Sequence, residues 1–318
     1  MTDTVTLHLG DSAKVLENIS DNSIDLIVTS PPYDNLRKYK GYSFDFEKIA
    51  KELFRVIKNG GVMVWVVSDQ TVNGSESGTS FKQALFFKEI GFNLHDTMIY
   101  AKTNPIPQNH NRYEQCFEYM FVLSKGKPKT FNPLTEPTKN AGKSFNWGDR
   151  KTVLDENQCR RHKETDNRIC KNEKIRKNIF YYSVGGGKSG HPAVFPYQLA
   201  EDHILSWSNE GDIILDPFMG SGTTGVAALN NNRKFIGIEI NEEYFNSCTN
   251  RLKEKELMYN IHMKEITNYD LRNDEVLHKF FYEAYINNQG VMIPAELLKD
   301  FVEMGCRMSI AKNTPFCK

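Results

Sequence analysis

Ile213-Ile214-Leu215-Asp216-Pro217-Phe218-Met219-Gly220-Ser221-Gly222-Thr223-Thr224 is the stretch whose reading decides the fold. An apolar run ends in a carboxylate. Three small residues then let the backbone turn tightly, and a helical pattern begins at Thr223 and runs to Asn230. Strand, glycine-rich turn and helix in that order place a pocket at the carboxyl ends of parallel strands, where open α/β sheets bind nucleotides. Glu239 follows Asp216 by 23 residues and closes the next apolar run, Phe235-Ile236-Gly237-Ile238. A carboxylate there is able to accept both hydroxyls of a ribose. A glycine turn also serves other nucleotides, or packing alone, so a second motif is needed to choose.

That motif lies near the other end of the chain. Thr29-Ser30-Pro31-Pro32-Tyr33 closes the apolar run Ile24–Val28. An exocyclic amino nitrogen of cytosine or adenine is a poor nucleophile, because its lone pair is delocalised into the ring. Acceptors held near its protons stabilise the charge that develops as a methyl group arrives. The Ser30 hydroxyl and the Pro31 carbonyl suit that task. Pro31 and Pro32 stiffen the corner and remove two competing N–H donors, and Tyr33 offers a face for a flipped-out base. Taken alone, the same residues are a rigid turn after a strand.

With both motifs present, and in this order, the chain resembles the S-adenosylmethionine-dependent DNA methyltransferases that modify exocyclic amino groups. Within them it looks like the circularly permuted β group, where the catalytic segment precedes the cofactor loop. The resemblance covers roughly residues 5–256. It implies that Asp216, Pro217, Phe218, Gly220, Ser221, Gly222 and Thr223 cradle the methionine part of the cofactor, with Glu239 on the ribose and Asn241 close by. Gly10-Asp11 resembles an early acidic site near the adenine, although Asp11 reads almost as well as the N-cap of a helix over Ser12–Ile19. Lys188-Ser189-Gly190-His191-Pro192 through Phe195-Pro196 resembles a segment lining the methionine end, which brings in His191. Ser30, Pro31, Pro32 and Tyr33 become the catalytic set. Members with Ser before Pro-Pro-Tyr are more often N4-cytosine enzymes, so cytosine N4 is the expected target and adenine N6 the alternative. More remote readings are an RNA methyltransferase or a non-catalytic DNA-binding protein on the same core.

The remaining periodicities fill out one sheet. Strands are expected at Thr4–Leu9, Ile24–Val28, Val62–Val67, Leu94–Ala101, Glu118–Leu123, Asp212–Leu215 and Lys234–Ile238. Helices are expected at Ser12–Ile19, Phe46–Ile57, Ser80–Ile90, Pro196–Ser208, Thr223–Asn230 and Glu242–Glu256, with Asn59-Gly60-Gly61 capping the second. The fold class is therefore a doubly wound, mostly parallel seven-stranded α/β sheet with an antiparallel edge strand, Rossmann-like. Residues 1–123 form the catalytic half of the core and 181–257 the cofactor half. Residues 124–180 are an insert, either an added module or long loops, suited to target recognition. Residues 258–318 carry helix-like stretches at Glu275–Tyr285 and Pro294–Met304, without an assigned role.

The formal net charge is zero, but Ser124–Asn178 holds 15 Lys/Arg against 7 Asp/Glu. A phosphate-binding protein needs a basic face rather than a basic total, and here that face includes Arg160, Arg161, Lys163 and Arg176. Arg37 and Lys38, directly after the catalytic segment, are placed over the base or against phosphate. A solvated lysine-rich loop explains the same charge run. Duplex DNA is the expected partner, with a cognate restriction endonuclease as a further one, and the chain is expected to act as a monomer or homodimer.

Several classes are set aside. Gly185-Gly186-Gly187-Lys188-Ser189 resembles a P-loop tail, but Tyr182 stands where its first glycine belongs. Cys159, His162 and Cys170 match no standard zinc spacing, and no metal is expected. A C5-cytosine enzyme needs a Pro-Cys nucleophile, and the chain has no Pro-Cys dipeptide. No apolar run is long enough for a membrane span, and Met1-Thr2-Asp3-Thr4 lacks a signal-peptide pattern, so a cytoplasmic location is expected.

Overall fold

A computed structural model describes residues 4–32, 44–105, 111–145, 152–154, 160–162, 168–184 and 196–263. The chain divides into two compact units, residues 1–259 and 260–318, and the first carries the main sheet. The helices expected at Glu275–Tyr285 and Pro294–Met304 lie outside the described residues.

Eight strands make the main sheet: β1 (Val5–Leu9), β2 (Ile24–Thr29), β3 (Ile57–Val67), β4 (Asn93–Lys102), β5 (Phe117–Ser124), β6 (Ile179–Tyr182), β7 (Ile213–Asp216) and β8 (Lys234–Glu239). They lie side by side in the order β1-β8-β7-β2-β3-β5-β4-β6. All neighbours are parallel except β5, which runs against both β3 and β4. The Rossmann-like sheet is thus as expected, with two differences of detail. The strand count is eight, because the short β6 adds to the outer side of β4. The reversed strand is third from the edge rather than at it, since β4 and β6 lie beyond it.

Among the described residues six α-helices accompany the sheet: α1 (Ser12–Val15), α2 (Phe46–Val56), α3 (Thr79–Glu89), α4 (Tyr197–Trp207), α5 (Thr223–Asn230) and α6 (Glu242–Met263). Strand alternation splits the core in two. Leu26, Val28, Val64 and Ile214 face α4, α5 and α6, whereas Ile27, Met63, Trp65 and Leu215 face α1, α2 and α3. Trp65 is fully buried; its ring packs edge-on to Phe87, and its indole N–H donates to Gln83 Oε1 at 2.9 Å.

Asn59-Gly60-Gly61 does not cap α2. The helix ends at Val56 and Ile57 is already extended, starting β3. Pairing with β2 jumps from Ile24↔Ile57 to Leu26↔Val62, so residues 58–61 bulge out of register. Gly60 sits there at φ +83°, where a Cβ would come within 2.3 Å of the Lys129 side chain.

The insert carries short antiparallel ladders. Thr135–Pro137 pairs with Glu173–Ile175, Ser144–Phe145 with Arg168–Ile169, and Thr152–Leu154 with Arg160–His162, all antiparallel. These pairings are nested, so the segment is one long hairpin arm. Each ladder is two or three residues long, too short to leave a period-two signal in sequence. The arm leaves the sheet at the amino-terminal end of the parallel strands, where the Lys125 N–H donates to the Gly61 carbonyl at 3.2 Å. It rejoins at Asn178, beside Asp96 and Thr97 in the first half of β4.

Candidate active site

The chain leaves β2 and β7 in opposite directions across the sheet. After β2 it passes through α2 on one face to β3; after β7 it passes through α5 on the other face to β8. The two strands are themselves neighbours, with Leu26 opposite Ile214 and Ile27 opposite Leu215. A crevice opens beyond the carboxyl ends at such a switch point. Thr29 ends β2 and Asp216 ends β7, so the Ser30 corner and the glycine turn start side by side.

Asp216 joins them. It is 1% exposed, and its two carboxylate oxygens take three donors. Oδ1 accepts from the Thr29 hydroxyl at 2.6 Å and the Phe218 N–H at 3.0 Å; Oδ2 accepts from the Thr224 hydroxyl at 2.8 Å. Burial pushes its pKa up to about 6, while these hydrogen bonds oppose the shift. All three of these donors belong to the protein, and through them the side chain supplies position and charge beneath the turn.

The turn is fixed on all sides. The Met219 N–H donates to the Ile238 carbonyl at 3.0 Å, and Met219 lies over Gly237, where a Cβ would stand 2.3 Å from its sulfur. The Ser12 hydroxyl holds the Pro217 carbonyl at 2.5 Å, and Arg251 donates to the Ser221 carbonyl at 3.0 Å. Phe218 packs edge-on to Phe44 and Trp65. Gly220, Gly222 and Gly225 are spaced as G-x-G-x-x-G, so their spacing alone does not separate this turn from a dinucleotide site. Gly222 takes φ +79° and a Cβ there would lie 2.4 Å from Cys248 Sγ. Gly222→Ala should destabilise the protein by about 2–3 kcal/mol in urea denaturation, from left-handed strain plus overlap. A loss under about 0.5 kcal/mol would mean the turn is not fixed as described.

What the turn leaves open faces a ligand. Gly222 caps α5 without a side-chain bond, which leaves first-turn amides without helical partners. Thr223 Oγ1 is buried and has no hydrogen-bond partner among the described residues. Amides plus an unpaired hydroxyl at a helix N-terminus suit a carboxylate. Glu239 lies on the next strand: Oε2 accepts from the Gly220 N–H at 2.9 Å and Oε1 from the Asn241 N–H at 2.8 Å. Burial raises its pKa as well. A buried and a half-buried acid below one turn favour a ligand that carries positive charge.

The other expected site residues divide. Asp11 lies near Glu239, because Leu9 pairs with Glu239 and the Gly10 N–H donates to the Glu239 carbonyl at 2.9 Å. Its side chain caps α1 by accepting from the Ala13 N–H. Asn241 caps α6 through the N–H groups of Glu243 and Tyr244. Pro31 is buried and Ser30 half-buried at the corner. Arg176 is paired at 3.3 Å with the buried Asp202, which also accepts the Tyr182 O–H at 2.8 Å, so it serves the fold where β6 begins. The backbones of Arg160 and Arg161 lie in the hairpin arm. Tyr33, Arg37, Lys38, Lys163 and His191 lie outside the described residues, as does Cys159. Among the described residues no cluster of His, Cys, Asp or Glu could hold a metal, and no helix is long and apolar enough to cross a membrane.

Sequence reasoning missed Ser12, Thr29 and Thr224. Each is a hydroxyl beside a chosen residue, and pattern gives no sign of which carboxylate or carbonyl a hydroxyl will meet.

Comparison with known proteins agrees with this geometry. A family model described as DNA methylase, of the N6 and N4 type, matches residues 24–250. The orphan methyltransferase M.BamHII of Bacillus amyloliquefaciens is 56% identical over 247 residues, covering 74% of this chain and 91% of that protein. The crystal structure of the M1.HpyAVI–SAM complex superposes with a TM-score of 0.54 at 28% identity, covering 78% of this chain and 98% of the other. PvuII DNA methyltransferase, cytosine-N4-specific, shares the fold with a TM-score of 0.57 at 22% identity, over 81% of this chain and 94% of that one.

Proposed function

This chain belongs to the DNA methylase family of N6 and N4 amino-methyltransferases, and on that premise we propose that it methylates N4 of cytosine in duplex DNA. Methyl transfer to DNA from S-adenosylmethionine is the family activity. The observation that carries the reading to this site is the Thr29–Asp216 hydrogen bond, which holds the Ser30 corner and the glycine turn at one crevice. Ser30 ahead of Pro31-Pro32-Tyr33 favours cytosine over adenine.

The residues present fit the cofactor. The open amides of α5 and the unpaired Thr223 hydroxyl would take its carboxylate, and Glu239 its ribose. Asp216 and Glu239 set a negative floor beneath its cationic centres. When bound, the cofactor supplies an electrophilic methyl group. The Ser30 hydroxyl and Pro31 carbonyl accept the amino protons of the target and favour a pyramidal nitrogen, while Tyr33 stacks on the extruded ring. Direct transfer to the amino nitrogen, with the thioether as leaving group and the surplus amino proton passing to solvent, would need no cysteine nucleophile.

Binding of duplex falls to the hairpin arm. Phosphate contacts set the salt dependence, at a slope of about −0.9 per contact. Changing both Arg160 and Arg161 to Gln should lower the slope of log K against log salt by about 2. An unaltered slope would move the duplex elsewhere.

The base is tested by incubating the protein with methyl-tritiated S-adenosylmethionine and mixed-sequence duplex, then digesting to nucleosides. Label in N4-methylcytosine is the expected result. Label in N6-methyladenine would overturn the choice of base, and no label in DNA would overturn the activity.

A further inference from the structure

Two bonds tie the glycine turn to Asp216, from the Phe218 N–H and the Thr224 hydroxyl, and neither involves Thr29. The third donor comes from the other half of the site. Thr29 is fully buried, stands immediately before Ser30, and gives its hydroxyl to Asp216 Oδ1 at 2.6 Å. From the geometry we infer that Thr29 is a positioning residue, which sets Ser30 against the methyl donor through Asp216 without holding the cofactor itself.

The cofactor turn keeps both of its own bonds to Asp216 when the Thr29 hydroxyl is removed. The catalytic corner does not: Pro31 and Pro32 make it stiff, so its placement depends on where β2 ends. Thr224 is the contrasting case, since its hydroxyl binds Asp216 Oδ2 and lies 3.3 Å from the Val28 carbonyl. Its loss loosens the turn. A hydrogen bond to a charged group is worth roughly tenfold or more in an equilibrium or a rate, and small misplacement of reacting groups costs rate steeply. The inference rests on the methyltransferase reading above and adds that the Thr29 hydroxyl aligns the catalytic corner with the cofactor half of the site.

Valine matches threonine in shape and in strand preference, so Thr29→Val removes the donor and little else. The cofactor dissociation constant is read by calorimetry with S-adenosylmethionine, and the transfer rate by single turnover on duplex at saturating cofactor. Thr29→Val should slow transfer roughly tenfold or more while the dissociation constant stays within about threefold. Thr29→Ser, which keeps the donor, should restore the rate. Thr224→Val should instead weaken cofactor binding roughly tenfold. If Thr29→Val does not fold, Thr29→Ala is expected to show the same split. An unchanged transfer rate, or a loss of cofactor affinity as large as the loss of rate, would overturn the inference. A wild-type protein that methylates no duplex would instead bring down the functional reading, and this inference with it.

Discussion

Asp216→Ala should abolish measurable binding of S-adenosylmethionine, a loss of at least about a hundredfold, and lower stability by about 3 kcal/mol. The reason is not a lost ligand contact. Removing the carboxylate leaves the hydroxyls of Thr29 and Thr224 and the N–H of Phe218 facing a buried space without an acceptor. An unsatisfied buried donor costs about 1–3 kcal/mol, partly offset here because a buried charge disappears too. The turn then loses its anchor, and Thr223 with the α5 amides loses its place. Calorimetry and urea denaturation check both effects, and undiminished affinity would remove Asp216 from the site. Asp216→Asn is the finer probe. A carboxyl whose pKa rises on folding, here to about 6, is neutral in both states at low pH and must be held as a buried charge once pH exceeds that value. Its contribution to stability is therefore complete below about pH 4 and falls, by up to about 3 kcal/mol, as pH rises through 6. Asparagine lacks that dependence, so the variant should gain stability relative to the wild type between pH 4 and 7.

Ser30→Ala should cut turnover by about a hundredfold or more while leaving the dissociation constant of S-adenosylmethionine within about threefold. Loss of one group aimed at developing transition-state charge typically costs 10²–10³ in kcat. Ser30 directly follows β2, the strand that pairs with β7, and is not on the cofactor turn, so ground-state binding of the cofactor should be spared. A lower kcat with an unchanged cofactor constant marks an interaction made in the transition state. Single-turnover kinetics on duplex DNA provides the check. Full activity would take the Ser30 hydroxyl out of the chemistry.

How far the site could be read in the sequence differs from residue to residue. Leu215-Asp216 and Val28-Thr29-Ser30 are legible because buried parallel strands read as apolar runs that end in polar residues, and their adjacency follows once both ends belong to one site. The glycines of the turn are legible because Gly220 and Gly222 take positive φ. What Asp216 does was not legible. A carboxylate at a strand end looks the same whether it meets a ligand or three protein donors. Asp11 and Asn241 carry the same ambiguity, both being helix caps whose acid or amide type also suits a ligand. The insert was least legible, because ladders of two and three residues carry no period. Arg176 shows the limit of counting charge: it belongs to a basic stretch, yet its partner is a buried aspartate 26 residues later.

A crystal structure with S-adenosylhomocysteine, the demethylated product, puts the shared crevice to the most direct trial. The amino-acid end of the ligand should rest on the first turn of α5 beside Thr223, its ribose against Glu239, and its sulfur toward Ser30. A ligand seated away from the carboxyl ends of β2 and β7, or with its sulfur turned from Ser30, would contradict the account.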